Sequence, residues 1–564
     1  MNKASRKEFY RKSIINALPR ILSELDRDPL SYTYGSFDRE YWAWATKDFS
    51  NTDLQRAVYP LALLYLNSFE GNFCYMSTRI KDYVLAGVRY LELVQHSDGS
   101  FDHHYPNEKS FVAVAFPLYE VAQAYLELDA KGALTQQEKK LFVKVMSKAA
   151  GFLLKVDEGH GFISNHRLGA ACALYSSYLI FKDDRYRQRA EFFVSTVKNR
   201  RSQSEGWLCE YGGADPGYQT LDTYYAANYY RLSGDKTFLD EVIIPSVKFL
   251  TYFLHPDGSI GGEYGSRNSP LFFPSGFELL STRVVEAETI ISFGAEALSN
   301  EHSPGLLSYD LRNFVPMLSS YIQAFFQCSA EDSGLVKEPP YKGSFERYWP
   351  GAGILVYSNQ NFYVILGLSK GGVLKVFDKN RKKLLFSHSG YTAQEFSGAA
   401  ISTQFLNWQY SLHRQGPGGC SFDTNFFEYV PKRVMTQFKF LLFRIFTFTL
   451  GRVRAVNYFV RKHLITGIFI HRKKAAPFTL RRSVNVFTDR VELCDDFSLC
   501  AMEKLQDVHA GDFFTTIYMA STKYYRHSEN QNDVLGTLDL KQNLKEKNKI
   551  IYKITPQDTQ VLFK

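Results

Sequence analysis

The feature that most constrains this chain is a glycine-bearing turn that returns between amphipathic segments. SDGSF at 97–101, EGHGFI at 158–163, SEGWLCEY at 204–211 and PDGSIGGEY at 256–264 each place a glycine ahead of an apolar residue. Measured at Gly99, Gly161, Gly206 and Gly258, the steps are 62, 45 and 52 residues, the length of a helical hairpin plus a loop. Around these turns, apolar residues recur at three- and four-residue steps in 76–95, 111–128, 138–155, 168–182, 219–233 and 285–299. A single hairpin cannot bury its apolar face and must stack on the next. Two arrangements satisfy that: an open α-solenoid, in which the glycines are C-caps, or a closed toroid. Long loops gathered on one face favour the toroid, with a functional rim.

Near residue 345 the period changes. The run 353–377 (GILVYSNQNFYVILGLSKGGVLKVF) is β-branched and aromatic, punctuated by Asn and Gly-Gly, and reads as consecutive antiparallel strands. Segments 382–391, 399–414, 478–499 and 512–521 continue the pattern. The expected fold is multidomain α+β: an N-terminal (α/α) toroid of helical hairpins over 1–345, followed by a C-terminal antiparallel β-sandwich over 346–564. The Pro/Gly-dense stretch 338–353 marks the boundary.

Composition is globular, with 45% hydrophobic and 22% charged residues, which excludes a disordered, collagenous or coiled-coil chain. Aromatic residues are unusually frequent at 16%, enough for large cores and for rings lining a groove. The seven cysteines form no CxxC pair and no disulfide framework. Neither a metal nor a cofactor is implied, because ligands at zinc-type spacing are missing. The basic N-terminus lacks an apolar signal-peptide core and reads as an exposed amphipathic helix. A cytoplasmic location is the expectation, at most peripheral to the inner face of a membrane.

The net charge of +9 is concentrated. No acidic residue lies between Glu428 and Asp489, while 432–482 carry thirteen Lys and Arg residues around FLLFRIFTFTL at 440–450. We read 431–475 as a basic, apolar insertion in the sandwich. Three roles fit it: a helical pair covering the sandwich, peripheral contact with an anionic membrane through 432–482, or docking of an acidic polymer. Nucleic acid is not favoured, since no recognition motif accompanies the charge.

The chemistry-bearing residues lie in the turns. Asn165 and His166 follow the Gly161 turn at the start of an apolar helix, and Tyr218 comes 52 residues later, about one repeat. Arg267, with Glu263 and Tyr264, lies in the next loop; His103 and His104 follow the first turn. On a toroid these loops are neighbours, and Trp207, Tyr211 and Tyr264 would offer rings to a sugar, as would Phe101 and Tyr105. Removing a proton alpha to a carboxylate is hard because the group is already negative. A neutral donor such as Asn165, helped by Arg267, can hold the carboxylate and stabilise the enolate charge. His166 or Tyr218 then takes the proton, and Tyr218 protonates the leaving oxygen. This is β-elimination at a uronic acid. Returning the proton on the opposite face gives a uronyl C5-epimerase. Asp98, Glu210, Asp215 and Glu263 leave a glycoside hydrolase open, and the same cavity would serve a non-catalytic polysaccharide-binding or assembly protein.

At Asn165-His166, with Tyr218 following in GGADPGY, the sequence resembles the heparinase II/III-like polysaccharide lyases, which include alginate lyases of this architecture. The opening stretch 34–66 looks like the start of heparinase-like proteins from bacterial surface-polysaccharide clusters. The resemblance implies a toroid-plus-sandwich fold, catalysis by Asn165, His166 and Tyr218, and an acidic polysaccharide or oligosaccharide as partner. The family's early sandwich His has Lys370 in its place, and His388 lies near the end of that strand region in a Gly-Tyr context. Those two residues are the expected sandwich contribution to substrate binding. The departure, with the missing signal peptide, points to a role in polysaccharide synthesis or modification.

Overall fold

The computed structural model describes residues 1–159, 161–202, 204–328, 336–429, 434–460, 474–511 and 540–564. Its N-terminal part is a closed double ring of helices. Val58–Leu66 packs on Phe111–Ala130, which packs on Ser164–Phe181, then Pro216–Ser233, Ser275–Leu280 and Leu311–Gln327, and the last returns to Val58–Leu66. Outer helices Thr78–Val94, Gln136–Leu153, Asp184–Arg200 and Val285–Ser299 each lie against an inner partner. This is the toroid rather than the open solenoid.

The recurring glycines are required by the turns. Gly99 has φ +89°, and a Cβ there would lie 2.1 Å from the Lys148 carbonyl oxygen. Much of the aromatic content packs the inner ring: Tyr119, Tyr224, Tyr225 and Tyr229 are buried, and Phe116 stacks on Tyr225 at 5.1 Å. The apolar helix Phe111–Ala130 is long enough to cross a membrane but is an inner helix of this ring. One expectation is corrected. The N-terminal helix Lys3–Glu24 is not exposed: Tyr10, Ile14, Leu18 and Ile21 are buried, and Arg6 is ion-paired in the core with Glu278 and Glu288.

The C-terminal part is a sandwich of two antiparallel sheets. The first runs in chain order: β1 (Phe345–Trp349), β2 (Ile354–Ser358), β3 (Phe362–Gly367), β4 (Val373–Asp378) and β5 (Lys383–His388). The second contains β6 (Tyr391–Glu395), β7 (Ala400–Ser402), β8 (Leu412–Arg414), β9 (Gly419–Tyr429), β10 (Lys474–Val486), β11 (Val491–Asp496), β12 (Leu505–Ala510), β13 (Lys549–Ile554) and β14 (Thr559–Phe563). Its order is β12-β6-β7-β9-β10-β11-β13-β14, with β8 paired to β9. Leu355, Val364, Leu366 and Val376 face the second sheet, whereas Ile354, Val356, Tyr363 and Ile365 pack on toroid residues Phe249 and Phe253. Strands β2–β4 are therefore buried on both faces, which explains their nearly continuous apolar sequence.

Of the basic insertion, 434–460 is described. It forms the helices Gln437–Phe448 and Arg454–Phe459, and these reach the toroid: Arg444 pairs with Asp48 at 3.1 Å and Tyr105 packs on Phe443. The strand expected at 512–521 and the basic residues Lys432, Arg433, Arg461, Lys462, Arg472 and Lys473 lie outside the described residues.

Candidate active site

Three toroid loops build the site. In the first, Ile163 pairs across a β-bridge with Glu210, and Ser164 donates its N–H to the Cys209 carbonyl at 3.1 Å. That stitching sets Asn165 and His166 in the first turn of Ser164–Phe181, where the helix dipole favours negative charge. In the second loop, Asp215 caps Pro216–Ser233: its carboxylate accepts the Tyr218 N–H at 2.9 Å, and Pro216 occupies the first helical turn. The other Asp215 oxygen accepts the Arg267 N–H at 2.7 Å, which ties in the third loop. Gly217 permits this approach, because a Cβ there would lie 2.0 Å from the Ser269 carbonyl oxygen.

The side chains converge on Glu210, which is 1% exposed. Asn165 Nδ2 donates to one carboxylate oxygen at 2.9 Å and Arg267 Nη1 to the other at 2.7 Å. Arg267 Nη2 donates to the Tyr218 hydroxyl oxygen at 3.0 Å, and its guanidinium lies 4.1 Å from the Tyr218 ring centroid and 4.7 Å from that of Tyr211. His166 Nδ1 is 2.9 Å from Glu158 Oε2. With the carboxylate accepting there, Nδ1 holds the ring proton and the lone pair of the neutral imidazole is at Nε2. Tyr211 is held at φ +52°, a costly conformation for a residue with a side chain.

Burial dominates the electrostatics. It pushes Glu210 up to about 7, with Arg267 pulling back, and Asp215 up to about 6 against the N–H groups of Tyr218 and Arg267. The Tyr218 phenol is pushed up to about 12, again by burial, while Arg267 pulls it down. Asp222, one turn beyond Tyr218, is buried, neither of its oxygens has a hydrogen-bond partner among the described residues, and burial, then the neighbouring Glu210, pushes its pKa well up from the ordinary carboxylate value.

Asn165, His166, Tyr218, Arg267 and Tyr211 are thus brought together. His103 and His104 lie beside them, their rings 3.8 Å apart and both backbone N–H groups on Glu108. Burial, then His104, holds His103 well below the usual imidazole range, and His166 adds to the effect. Lys370 is a support behind the site: it is buried and donates to the Ser266 carbonyl at 2.9 Å, next to Arg267.

Other expected contacts are elsewhere. Trp207 and Tyr264 are 8% and 1% exposed and pack in the core between toroid and sandwich, where the Tyr264 hydroxyl meets His255 Nε2 at 2.8 Å. Glu263 pairs with Lys375 of β4 at 2.6 Å. Phe101 and Tyr105 are also buried. His388 is 0% exposed inside the sandwich, against Arg482 and Tyr391, and burial lowers its pKa. These glycine-loop rings and this histidine are corrected from substrate contacts to packing. Glu158 and the anchoring role of Glu210 escaped the sequence; the one available signal was an acid in the same glycine turn as His166. Among the described residues no cluster of His, Cys, Asp and Glu suits a metal ion.

Residues 51–270, which carry all of these catalytic candidates, match the family model of the ulvan lyase N-terminal domain. Among solved structures, a Paenibacillus xanthan lyase is 11% identical with a TM-score of 0.52, over 87% of this chain and 45% of its own, a likeness of fold. The Streptomyces coelicolor chondroitin AC lyase is 10% identical with a TM-score of 0.47, over 88% of this chain and 66% of its own. The chain therefore spans less than half of the first and just under two thirds of the second. No curated protein compared with the chain matches it.

Proposed function

We propose that this chain is a lyase that cleaves a uronic-acid-containing polysaccharide, of the kind found on bacterial surfaces, by removing the C5 proton and eliminating the 4-linked oxygen. The observation that carries the reading is the single hydrogen-bonded group formed by Asn165, Glu210, Arg267 and Tyr218, with His166 adjoining Asn165 in the chain. Glu210 uses one N–H of the Asn165 amide, and the other is available to a substrate carboxylate. The helix N-terminus beneath adds positive potential for the enolate that forms. His166 Nε2 accepts the C5 proton. Tyr218, a neutral phenol at neutral pH, gives its proton to the leaving oxygen, and Arg267 stabilises the phenolate left behind. The reaction is balanced: the C5–H and C4–O bonds break, a C4=C5 bond forms, and the proton from C5 rests on His166.

The order Asn165-His166, then Tyr218, supports placing the chain with the heparinase II/III-like lyases, and the ulvan lyase domain match supports an acidic polysaccharide substrate. The test is incubation with ulvan, chondroitin sulphate and alginate, following unsaturated uronate by absorbance. Solvent deuterium uptake at C5 without absorbance would replace the lyase with an epimerase. A separate part of the proposal is membrane contact through the insertion, supported by the exposed side chains of Phe438, Leu441 and Ile445 in an acid-free basic stretch. Anionic vesicles should sediment the protein at low salt; no sedimentation there removes it.

A further inference from the structure

The inserted helices are fastened to the toroid rim beside the candidate site. Asn457 is 3% exposed; its Nδ2 donates to the Asn107 carbonyl at 2.6 Å, and its Oδ1 accepts from the Tyr105 hydroxyl at 3.2 Å. Asn107 returns a bond to the Thr447 carbonyl at 3.1 Å. The rim loop that grips the insertion holds Asn107 and Lys109 at φ +60° and +53°, conformations that cost energy and persist where surroundings enforce them. On the far side the Tyr458 ring lies against Gly159, so closely that a Cβ there would sit 2.9 Å from its Cε2.

Rim and insertion together line a half-open cavity of about 670 Å³, within the range of small-ligand sites. One wall includes Glu158, the carboxylate bonded to His166, so the cavity adjoins the candidate base. The opposite wall is Arg454–Tyr458 of the insertion. Lys109, Lys155 and Arg454 line this space together with Glu108, Asp157 and Glu158; Lys109 pairs with Asp98, Asp157 with Arg167 and Glu158 with His166, Arg454 lies over the Phe152 ring, and neither Lys155 nor Arg454 has a carboxylate partner among the described residues.

We propose that this cavity is a terminal subsite: it takes the anionic end unit of an acidic polysaccharide, and the insertion is the wall that stops the chain from running through. It rests on the lyase reading for what happens next, since a chain seated against the wall is cut a short, fixed distance from its end. Lys155 and Arg454 would meet the carboxylate or sulfate of the end unit, and Tyr458 would close the subsite.

The test separates binding from chemistry. Chondroitin and ulvan tetrasaccharides are presented to the full chain carrying His166→Ala, either free or immobilised through one end or the other. Wild-type protein then digests the intact polymers, with viscosity and product size followed together. The proposal expects immobilisation through one particular end to weaken binding at least tenfold, and Arg454→Glu or Lys155→Glu to weaken the free ligand similarly. It expects short products from the first time point, with viscosity falling slowly, and more mid-chain cleavage after Tyr458→Ala. Binding within twofold for both attachments, or an early broad ladder with a rapid viscosity drop, overturns the terminal subsite while leaving a lyase. End-dependent binding with no unsaturated product keeps the subsite and removes the lyase. No binding to any of these anionic probes overturns the subsite.

Discussion

Arg267 connects the two halves of the proposed chemistry, and replacing it gives the sharpest internal check. Arg267→Ala removes the partner of a Glu210 carboxylate that is 1% exposed, the bond to the Tyr218 hydroxyl and the guanidinium stacked on two tyrosine rings. Breaking a buried ion pair by deleting one member costs about 3–5 kcal/mol. Losing a charged hydrogen bond to the phenol costs roughly 1.5–3 kcal/mol, which at about 1.4 kcal/mol per tenfold is roughly 10- to 100-fold in turnover. Arg267 also holds the Tyr218 pKa down, so its loss moves any rate limb that depends on the phenolate to higher pH. Arg267→Lys separates the contributions. A lysine restores the charge near Glu210 but cannot fork to Glu210 and Tyr218 together, so stability returns in large part while turnover stays about tenfold low. Urea denaturation and a pH–rate profile on unsaturated-product formation read both. An Arg267→Ala protein of native stability with turnover within twofold refutes the argument, as does a lysine variant equal to wild type.

Other expectations follow from the same geometry. Tyr218→Phe should keep the fold and substrate affinity but lose roughly 10²–10⁴-fold in turnover, measured by absorbance and binding side by side. Stability should fall as pH rises from 5 through 7. The folded toroid keeps protons on Asp215 (about 6) and Glu210 (about 7) that the unfolded chain, with ordinary values of 3.8 and 4.5, has released. Melting temperature against pH checks the slope, and Glu210→Gln should flatten it. Tyr264→Phe removes the hydrogen bond to His255 Nε2 in the interdomain core, leaving the Ser259 contact at Nδ1, and should cost about 1–3 kcal/mol with KM unchanged; a raised KM would return Tyr264 to the cleft.

The repeat was legible because its glycines answer a backbone demand: Gly99, Gly161, Gly206 and Gly258 all have positive φ. The change of period near 345 was legible because β2, β3 and β4 are covered on both faces and so carry a nearly unbroken apolar run. Asn165, His166 and Tyr218 stood out as polar residues at loop-to-helix junctions one repeat apart, and Arg267 as a charge in the glycine-rich loop that follows. What escaped were pairings with no local signature. Glu210 joins Asn165, 45 residues away, to Arg267, 57 residues away, and nothing in the sequence specifies that meeting. Trp207 and Tyr264 misled because an aromatic ring in a glycine turn reads the same whether it faces a cleft or a neighbouring sheet. The structure decides for the sheet, since the outer face of β2–β4 needs apolar cover. His388 misled for a related reason: its Gly-Tyr context belongs to the turn into β6, inside the sandwich. The insertion was legible as a charge anomaly, but Asn457, which fastens it to the rim, had no signal at all.

The most direct measurement is the appearance of a C4=C5 double bond in a uronate polysaccharide incubated with the purified protein, followed by ultraviolet absorbance and product mass. The account predicts a time-dependent rise with wild type that His166→Ala and Tyr218→Phe abolish without changing the folded state. Saturated products bearing new reducing ends, or an undiminished rise in both variants, would contradict it.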